Sequence, residues 1–331
     1  MKQLLTAALT WAALGTAAIA AGSAAAQPAP AAQSDYPNRP VVLVVPFPAG
    51  GVTDLAARLV ARGLAEQLGQ PVVVDNRGGA AGRIGAEAVA RARADGYTLL
   101  FGLSVTHGML MAATNRPAYD PLKSFTPIAP LYWYSSVLIC NPSVPARTVK
   151  ELVAYARAKP DGFVYSSAGV GSGVHFTAEH FAALAGLKTL HVPFRGGAPA
   201  IQAVIGGQVD CSFDGAARPF IASGAVRALA TTGSRRDVQY PAVPTFDESG
   251  FAGFDMTIWQ GLFAPAQLPA DIAARLRRAV HDAAASPAVV EQARSLGLNP
   301  LGGGAAELEK LIAAEVEKYQ ALTRQLRIAF D

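Results

Sequence analysis

Two adjacent glycines stand between an apolar run and an amphipathic segment in VVPFPAGGVTD, residues 44–54. The valine-rich run has the composition of a strand, and we expect a helix to begin near Thr53 or Asp54. Gly50 and Gly51 would let the backbone approach a ligand closely, beside N–H groups that have no partner within the helix. Such a helix start favours an anion by roughly 0.3–1 kcal/mol where exposed. A single Gly-Gly turn, however, is more often only the geometry of a tight connection.

The same turn chemistry recurs three more times along the chain. NRGGAAGRIG (76–85) follows a second apolar run, AGVGSGVH (168–175) follows the strand-like FVYSS, and PFRGGAP (193–199) adds Arg195 as a cation. Turns at the carboxyl ends of parallel strands meet at the edge where open α/β sheets place their ligands. We therefore predict an anion-binding cleft, in which a ligand with carboxylates at both ends would be held from two sides.

Other chemistries fit the sequence less well. The phosphate-binding patterns G-x-x-x-x-G-K-[ST] and G-x-G-x-x-G are absent, and so is the G-x-S-x-G nucleophile elbow. His175 and His180 are five residues apart, which places them on different faces of a helix and does not suit a metal pair. Ser172 is interpreted as a hydrogen-bond donor to a ligand. No activated nucleophile with a neighbouring base is evident, so the sequence favours a binding protein over an enzyme.

Two acidic residues have competing interpretations. Asp54 lies four residues before Arg58, which favours helix capping and an i,i+4 ion pair over ligand binding. Asp214 directly follows the strand-like VDCSF, and at this strand end it could accept a hydrogen bond from a ligand amine or hydroxyl. A role in a hinge or turn fits Asp214 equally well. His107 and His191 are interpreted as structural.

The segments that must position the first turns alternate between two periodicities. VVLVV (41–45), PVVVD (71–75) and YTLLF (97–101) are continuous apolar runs, as expected for parallel strands covered on both faces. Between them, IGAEAVARARA and TDLAARLVARGLAEQL have helical spacing, the latter at Leu55, Leu59, Leu64 and Leu68. This βαβαβ order predicts a doubly wound sheet with helices on both faces.

A second set of strands and helices follows the first. Thr148 and Glu151 form a capping box before one helix, and the strand-like FVYSS, LHVPF and VDCSF alternate with further helical segments. PIAPLYWYSSVLIC and MTIWQGLFAP are predicted to cross between the two sets. The prediction is a two-lobed α/β fold in which each lobe is a doubly wound, mainly parallel sheet flanked by helices. The first lobe would comprise residues 36–135 plus 255–331, and the second lobe residues 136–254.

The N-terminal residues are typical of an export signal. Lys2, an apolar run and the stretch ending in Ala26 predict a secretory signal peptide, residues 1–26, with an uncleaved membrane anchor as the alternative. Residues 27–35 form a Pro/Ala-rich linker. Residues 27–331 together have 27 basic against 24 acidic residues and no aromatic-interleaved basic groove, so nucleic acid is not an expected partner.

Cys140 and Cys211 are the two cysteines of the chain. Export would permit a disulfide between them. Their apolar, strand-like contexts suit small buried thiols equally well. The sequence therefore leaves both states open.

Much of the chain resembles a known family. The export signal, the segment from YPNRPVVLVVPFPAGGVTD to YTLLFG, and HVPFRGGAPAIQAVIGGQVDCSFD are similar to the Bug-type, or tripartite tricarboxylate transporter, extracytoplasmic substrate-binding proteins. The resemblance implies a two-lobed, type II-like periplasmic binding protein without cofactor or metal. Such a receptor closes on a small carboxylate by hinge motion and delivers it to integral-membrane transporter subunits. A sensor kinase is the alternative partner, and an α/β enzyme acting on a small organic acid is the competing function.

The resemblance also assigns ligand-binding positions. One carboxylate is expected at two Gly-rich loops of the first lobe, while the second lobe selects the rest of the ligand. Dicarboxylates, tricarboxylates, acidic amino acids and aromatic acids all fit. The chain departs from the family in having NRGGAAG for the common NRPGAGG and PFRG for the usual PYKG, which keeps the backbone donors. With Arg195 from the fourth turn, the predicted site residues are Phe47, Pro48, Ala49, Gly50, Gly51, Arg77, Gly78, Gly79, Ala80, Ala81, Gly82, Ser104, Thr106, Ser166, Ser167, Gly169, Ser172, His175, Arg195 and Asp214.

Overall fold

The computed structural model describes residues 35–113 and 117–326. The predicted signal peptide and the predicted linker up to residue 34 lie outside the described residues. Within the described ranges, no helix is both long and apolar enough to cross a membrane. The chain from Tyr36 onward forms one compact unit.

The strands of this unit belong to two sheets. Runs rich in valine, isoleucine and aromatic residues supply most of them, because such side chains fit the pleated surface of a sheet. In chain order they are β1 (Val41–Val45), β2 (Val72–Asn76), β3 (Thr98–Leu103), β4 (Phe125–Tyr134), β5 (Val137–Cys140), β6 (Phe163–Ser167), β7 (Thr189–Pro193), β8 (Cys211–Asp214), β9 (Arg227–Thr231), β10 (Ile258–Pro265) and β11 (Asn299–Pro300).

The first sheet has the strand order β11-β4-β10-β3-β1-β2. As predicted, β1 runs parallel to β2 and to β3. The sheet is mixed and not mainly parallel, because β10 pairs antiparallel with both β3 and β4, and β11 pairs antiparallel with β4. The expectation that β2 is covered on both faces was wrong. β2 is an edge strand, and Val73 is 51% exposed.

The second sheet has the strand order β7-β6-β8-β5-β9. β6 runs parallel to β7 and β8, whereas β5 runs antiparallel to β8 and β9. This sheet is therefore also mixed. The prediction of a two-lobed α/β fold is confirmed by the two separate sheets with flanking helices, while the mainly parallel character assigned to each lobe needed this correction.

Two chain segments connect the sheets. Ser135 and Ser136 join β4 to β5, and residues 232–257 lead from β9 to β10. The two connections are hydrogen-bonded to each other, since Thr232 N–H donates to Ser136 O at 2.9 Å and Ser136 N–H donates to Thr232 Oγ1 at 3.0 Å. The predicted lobe boundaries near residues 135 and 255 stay a prediction.

A disulfide joins the two cysteines, which the sequence had left open. Cys140 on β5 is directly opposite Cys211 on β8 in the antiparallel register. Both residues are fully buried. The bond therefore links two neighbouring strands of the second sheet within its buried core. Cys211 lies three residues before Asp214 along β8.

Helices cover both faces of the first sheet, as the alternating sequence pattern predicted. α1 and α8 pack on one face, and α2 and α10 pack on the other. Short turns of 3-10 helix (Ala80–Gly82) and π-helix (Val105–Met109) precede α2 and α3. The helices are α1 (Val52–Leu68), α2 (Arg83–Ala90), α3 (Leu110–Ala113), α4 (Val149–Ala158), α5 (Gly173–Ala185), α6 (Gly197–Ile205), α7 (Arg218–Ala222), α8 (Ala270–Ala285), α9 (Pro287–Ser295) and α10 (Ala305–Leu326).

Two local predictions about helices are changed in detail. The capping box of α4 is half formed, because Thr148 Oγ1 accepts from Glu151 N–H while the Glu151 carboxylate accepts from Arg147 N–H. On α1, Leu59, Leu64 and Leu68 are buried as predicted, but Leu55 is 38% exposed. Leu55 lies in the first turn of α1, at the carboxyl edge of the sheet.

Candidate functional site

The turn from β1 to α1 is held in place by a buried carboxylate. Asp54 Oδ2 accepts from Gly50 N–H at 3.0 Å and from Arg58 Nε at 3.0 Å, while Asp54 Oδ1 accepts from Asn76 Nδ2 at 3.0 Å. Asn76 Nδ2 also donates to Phe47 O. Burial alone would raise the pKa of Asp54, but the hydrogen bonds from Arg58, Gly50 and Asn76 outweigh it and lower the pKa. The turn is thereby tied both to α1 and to the end of β2.

The Gly50 N–H is therefore not available as a hydrogen-bond donor to a ligand at this turn. Gly50 has a left-handed φ of 89°, which suits glycine, and its N–H is used by Asp54. Gly51 is the N-cap of α1 and provides no side-chain cap. Among the residues that the structure describes, the N–H groups of Gly51, Val52 and Thr53 have no hydrogen-bond partner. These are the orphan donors of a helix start, where the helix dipole is positive.

Two helices of the second sheet begin in the same way. α5 starts at Gly173 after its N-cap Ser172, whose Oγ accepts from His175 N–H at 3.3 Å. α6 starts at Gly197 after Gly196. The N–H groups at the starts of both helices have no partner within the described part of the chain. These groups belong to Gly173 and Val174 in α5 and to Gly197 and Ala198 in α6.

All three helix starts line one cavity of about 530 Å³. It lies between the two sheets, with residues from β3, β4, β8 and β10 and from the connections in its wall. A space surrounded by three positive helix ends attracts an anion. The lining residues are Phe47, Pro48, Ala49, Gly50, Gly51, Val52, Thr53, Leu103, Val105, Tyr134, Ser136, Ala168, Ser172, Gly173, Val174, Arg195, Gly196, Gly197, Ala198, Pro199, Ile201, Gln202, Phe213, Asp214, Gly215, Ala216, Phe220 and Ile258.

Arg195 and Asp214 are the charged side chains in this lining. Arg195 is exposed, whereas Asp214 is partly buried and accepts from Ala216 N–H through Oδ1 at 2.6 Å. Burial raises the pKa of Asp214 to about 6, although the bond from Ala216 acts to lower it. Burial, followed by the nearby Asp214 charge, raises the pKa of Tyr134, so its hydroxyl is neutral at physiological pH.

The chemistry of the cavity is that of a binding site. Within the described ranges, no group of three or more His, Cys, Asp or Glu side chains is placed to hold a metal ion. The Ser172 hydroxyl accepts the capping bond of α5. Backbone N–H groups and one exposed guanidinium can bind a small anion, and the Asp214 carboxylate can accept from an O–H or N–H of the same molecule.

Comparison with known proteins agrees with this geometry. The sequence profile described as "Tripartite tricarboxylate transporter family receptor" matches residues 56–328. The chain belongs to this receptor family. Its members are receptors for solutes. The family match confirms the resemblance that the sequence segments indicated.

Individual members of the receptor family are similar over most of their length. Protein BugT of Bordetella pertussis is 35% identical over 301 residues, covering 90% of this chain and 92% of BugT. The structure of periplasmic binding protein BugD is 34% identical with a TM-score of 0.84, covering 89% of this chain and 99% of that one. The structure of R. palustris Rpa4515 with adipate is 33% identical with a TM-score of 0.84 and the same coverage of both chains.

Eight of the twenty residues predicted for the receptor's site line the cavity, and twelve do not. The eight come from the first, third and fourth Gly-rich turns and from the end of β8. They are Phe47, Pro48, Ala49, Gly50, Gly51, Ser172, Arg195 and Asp214. The ligand contacts predicted for all twenty stay a prediction, but the geometry places only these eight at the cavity wall.

The second Gly-rich loop, Arg77–Gly82, packs against the first loop and does not line the cavity. A Cβ on Gly78 would be 3.2 Å from Pro48, and a Cβ on Gly82 would be 2.8 Å from Thr106 and 3.2 Å from Phe47. The glycines thus allow the two loops to pack closely. The same loop contains Gly79, and it contains Ala80 and Ala81 in left-handed conformations with φ of 46° and 56°.

Except for Ser104, whose buried Oγ has no hydrogen-bond partner among the described residues, the predicted polar residues outside the wall bond within the protein. Thr106 Oγ1 bonds to the backbone of Leu103, Ser166 Oγ donates to Ala200 O, and Ser167 Oγ bonds to Gly169 and His191. Gly171 N–H donates to His175 Nδ1. Ser104 is fully buried.

Sequence reasoning missed most of the wall residues outside these turns. Tyr134 ends β4, Ser136 lies in the connection to β5, and Ile258 begins β10. Gln202 and Phe220 belong to α6 and α7. The sequence did contain a signal for Tyr134, Ser136 and Ile258. The segments predicted to cross between lobes had to pass the cleft, so their residues near the crossing were candidates for its wall.

Acid should weaken the fold through His107, whose Nδ1 bonds to buried Thr106 Oγ1 at 2.9 Å. Burial lowers the pKa of His107 to about 3, below the unfolded value of 6.5. The unfolded chain then binds the proton first, so stability is complete above pH 6.5 and is lost as the pH falls towards 3. We expect a loss of about 2 kcal/mol from this group at pH 5.

The measurement is denaturant unfolding of wild type and His107→Asn at pH 7.5 and pH 5. The variant should lose about 2 kcal/mol less than wild type between these pH values. His281→Asn, at a side chain that is 84% exposed, is the control and should keep the wild-type pH dependence. Equal pH dependence in wild type and His107→Asn would contradict the assignment.

Proposed function

We propose that this protein is a periplasmic receptor that captures a small carboxylate in the cavity and delivers it to a tripartite tricarboxylate-type membrane transporter. The observation that carries the proposal is the meeting of three helix starts, with unpartnered N–H groups, at one cavity. Membership of the receptor family supports it, and so does the adipate held by the R. palustris relative. The export signal predicted for residues 1–26 fits a periplasmic location.

Capture would involve closure of two lobes. We propose that the lobes are residues 36–135 plus 255–331 and residues 136–254, as the sequence predicted. The hydrogen-bonded pair Ser136 and Thr232 lies where the two connections run side by side, which suits a hinge. Pro48 and Gly196 would then be on opposite sides of the closing cleft, where a Cβ on Gly196 would be 3.9 Å from Pro48.

The proposed function predicts a strict requirement for ligand charge. An acid present at about 100 times its dissociation constant should stabilise the protein by about 2.7 kcal/mol. At roughly 2–4 °C for each kcal/mol, its melting temperature should rise by about 5–10 °C. The measurement is thermal unfolding with a panel of organic acids and their methyl esters. The esters should give no shift, because they lack the charge that helix starts recognise.

Neutral sugars of similar size are the control in the same assay. Stabilisation by an ester or a sugar as large as that by any acid would overturn the carboxylate proposal. Stabilisation by acids alone would support it.

A further inference from the structure

The charged groups and helix starts of the cavity wall suit a ligand that has one carboxylate. A Cβ on Gly197 would lie 3.5 Å from Asp214 Oδ2, so this carboxylate stands at the start of α6. The positive end of α6 is therefore already close to an anion of the protein. The start of α5 faces no such internal anion in the described lining, since the other charged side chain there is the exposed Arg195. The first turn of α1 contains the Asp54 carboxylate, but this group is paired with Arg58 and bonds to Gly50 and Asn76. The N–H groups at the starts of α1 and α5 can therefore bind the ligand carboxylate.

One of the two oxygens of the Asp214 carboxylate has no hydrogen-bond donor among the described residues. Its Oδ1 accepts from Ala216 N–H, but Oδ2 accepts no hydrogen bond from the described residues. A partly buried carboxylate oxygen without a donor is unfavourable, and a ligand O–H or N–H would satisfy it. A second ligand carboxylate in the same cavity would instead be repelled by Asp214, because two carboxylates that share a site disfavour double ionisation.

Much of the remaining wall is apolar, and the cavity is larger than a short chain of carbons requires. Apart from Arg195 and Asp214, its polar side chains are Thr53, Tyr134, Ser136, Ser172 and Gln202. A cavity of about 150 Å³ lined by apolar side chains is enough for one benzene molecule. This cavity has about 530 Å³. A Cβ on Gly173 would be 3.2 Å from Val105 and 3.4 Å from Ile258, so these groups form a continuous surface. Val174, Ile201, Phe213 and Phe220 extend the apolar lining.

From these three features we infer that the ligand is a monocarboxylic acid with an apolar body of about ring size and a hydroxyl or amino group that donates to Asp214. The inference rests on the proposed carboxylate-receptor function and narrows its substrate class. The ligand carboxylate binds the N–H groups at the starts of α1 and α5. The ring contacts the apolar wall, and Asp214 selects acids that carry a donor over acids that carry a second carboxylate.

Calorimetric titration of the wild type with five probes tests this assignment. Phenylacetate is the parent acid, mandelate adds a hydroxyl beside the carboxylate, and 4-hydroxyphenylacetate adds one at the far end of the ring. Adipate represents dicarboxylates, and 4-hydroxyphenylethanol keeps the ring and hydroxyl without the acid. At least one hydroxylated acid should bind 10-fold or more tighter than phenylacetate and adipate. 4-Hydroxyphenylethanol should not bind measurably.

Asp214→Asn tests the selecting residue, since it keeps the shape and removes the charge. It should reduce the preference for the hydroxylated acid over adipate by 10-fold or more. Asp161→Asn is the matched control, because Asp161 is exposed and precedes β6, at the end of that strand remote from the cavity. Its affinities should equal those of wild type.

The outcomes distinguish failure of this inference from failure of the proposed carboxylate-receptor function. Adipate binding more tightly than every ring acid, or an unchanged preference in Asp214→Asn, would overturn the inference and leave a carboxylate receptor in place. Binding of 4-hydroxyphenylethanol with no binding of any acid would overturn both.

Discussion

Asp54→Ala should cost about 2–4 kcal/mol of folding stability and at least 10-fold in affinity for any acid that binds the cavity. The Asp54 side chain is buried and accepts three hydrogen bonds, one of them from the Gly50 N–H. Hydrogen bonds to a charged group are worth about 1.5–3 kcal/mol each. The Gly50 N–H would be left without an acceptor, and Asn76 Nδ2 would keep only Phe47 O. Arg58 is 52% exposed and can be hydrated, which limits the loss.

The affinity loss has a separate cause. Without Asp54, the Gly50 turn is no longer tied to α1 and β2, so the N–H groups of Val52 and Thr53 lose their fixed direction. Thermal unfolding and calorimetric titration measure the two effects independently. The melting temperature should fall by roughly 4–16 °C.

Asp75→Ala is the matched control for the loss of an Asp–Arg pair. Asp75 pairs with Arg77 at 2.7 Å, but both side chains are more than one third exposed. Surface pairs of this kind contribute about 0–1 kcal/mol, so stability and affinity should change little. If Asp54→Ala behaved like Asp75→Ala, the turn would not depend on the buried carboxylate.

The sequence predicted the elements of the fold better than their directions. β1, β2 and β3 were placed within about two residues, because continuous valine-rich runs and intervening amphipathic helices are local patterns. The antiparallel pairing of β10 with β3 and β4 was not predicted. An apolar run has the same composition in either direction, and only the path between the sheets fixes which way such a strand runs.

Cavity-wall residues were predicted correctly where the glycines of a turn face the cavity. The prediction failed where the glycines allow one loop to pack against another. The first, third and fourth Gly-rich turns line the cavity, and each precedes a helix start. The second turn has the same signal, but Gly78 and Gly82 bring it against Pro48 and Phe47. Close approach to a ligand and close approach to another loop both require glycine, so one sequence cannot distinguish them.

Asp54 shows the same limit for a single residue. Its pairing with Arg58 follows from the four-residue spacing along α1, and the structure contains that pair. Its bonds to Gly50 and Asn76 involve a left-handed turn and a separate strand. Such bonds depend on the assembled fold. They give Asp54 a role that the predicted cap and i,i+4 pair did not include, which is to support the turn at the cavity wall.

Gly51→Val should abolish binding while leaving the fold nearly intact. Gly51 is the N-cap of α1 with an extended backbone, φ −85° and ψ 170°, which any residue can adopt. A Cβ there would have no heavy atom within 4 Å, so the branched side chain would occupy space at the cavity wall. It would keep a carboxylate away from the N–H groups of Val52 and Thr53. We expect affinity to fall by more than 100-fold, which corresponds to about 2.7 kcal/mol.

The comparison needs a glycine of equal freedom outside the cavity, and Gly302 provides it. Gly302 is exposed, and a Cβ added there would likewise have no heavy atom within 4 Å, so Gly302→Val should bind normally. Gly50→Val should differ from both, because its φ of 89° imposes strain of about 1–3 kcal/mol on the ligand-free protein. Thermal unfolding of the three variants with and without a bound acid distinguishes the cases. Normal binding by Gly51→Val would show that the carboxylate is not held at the start of α1.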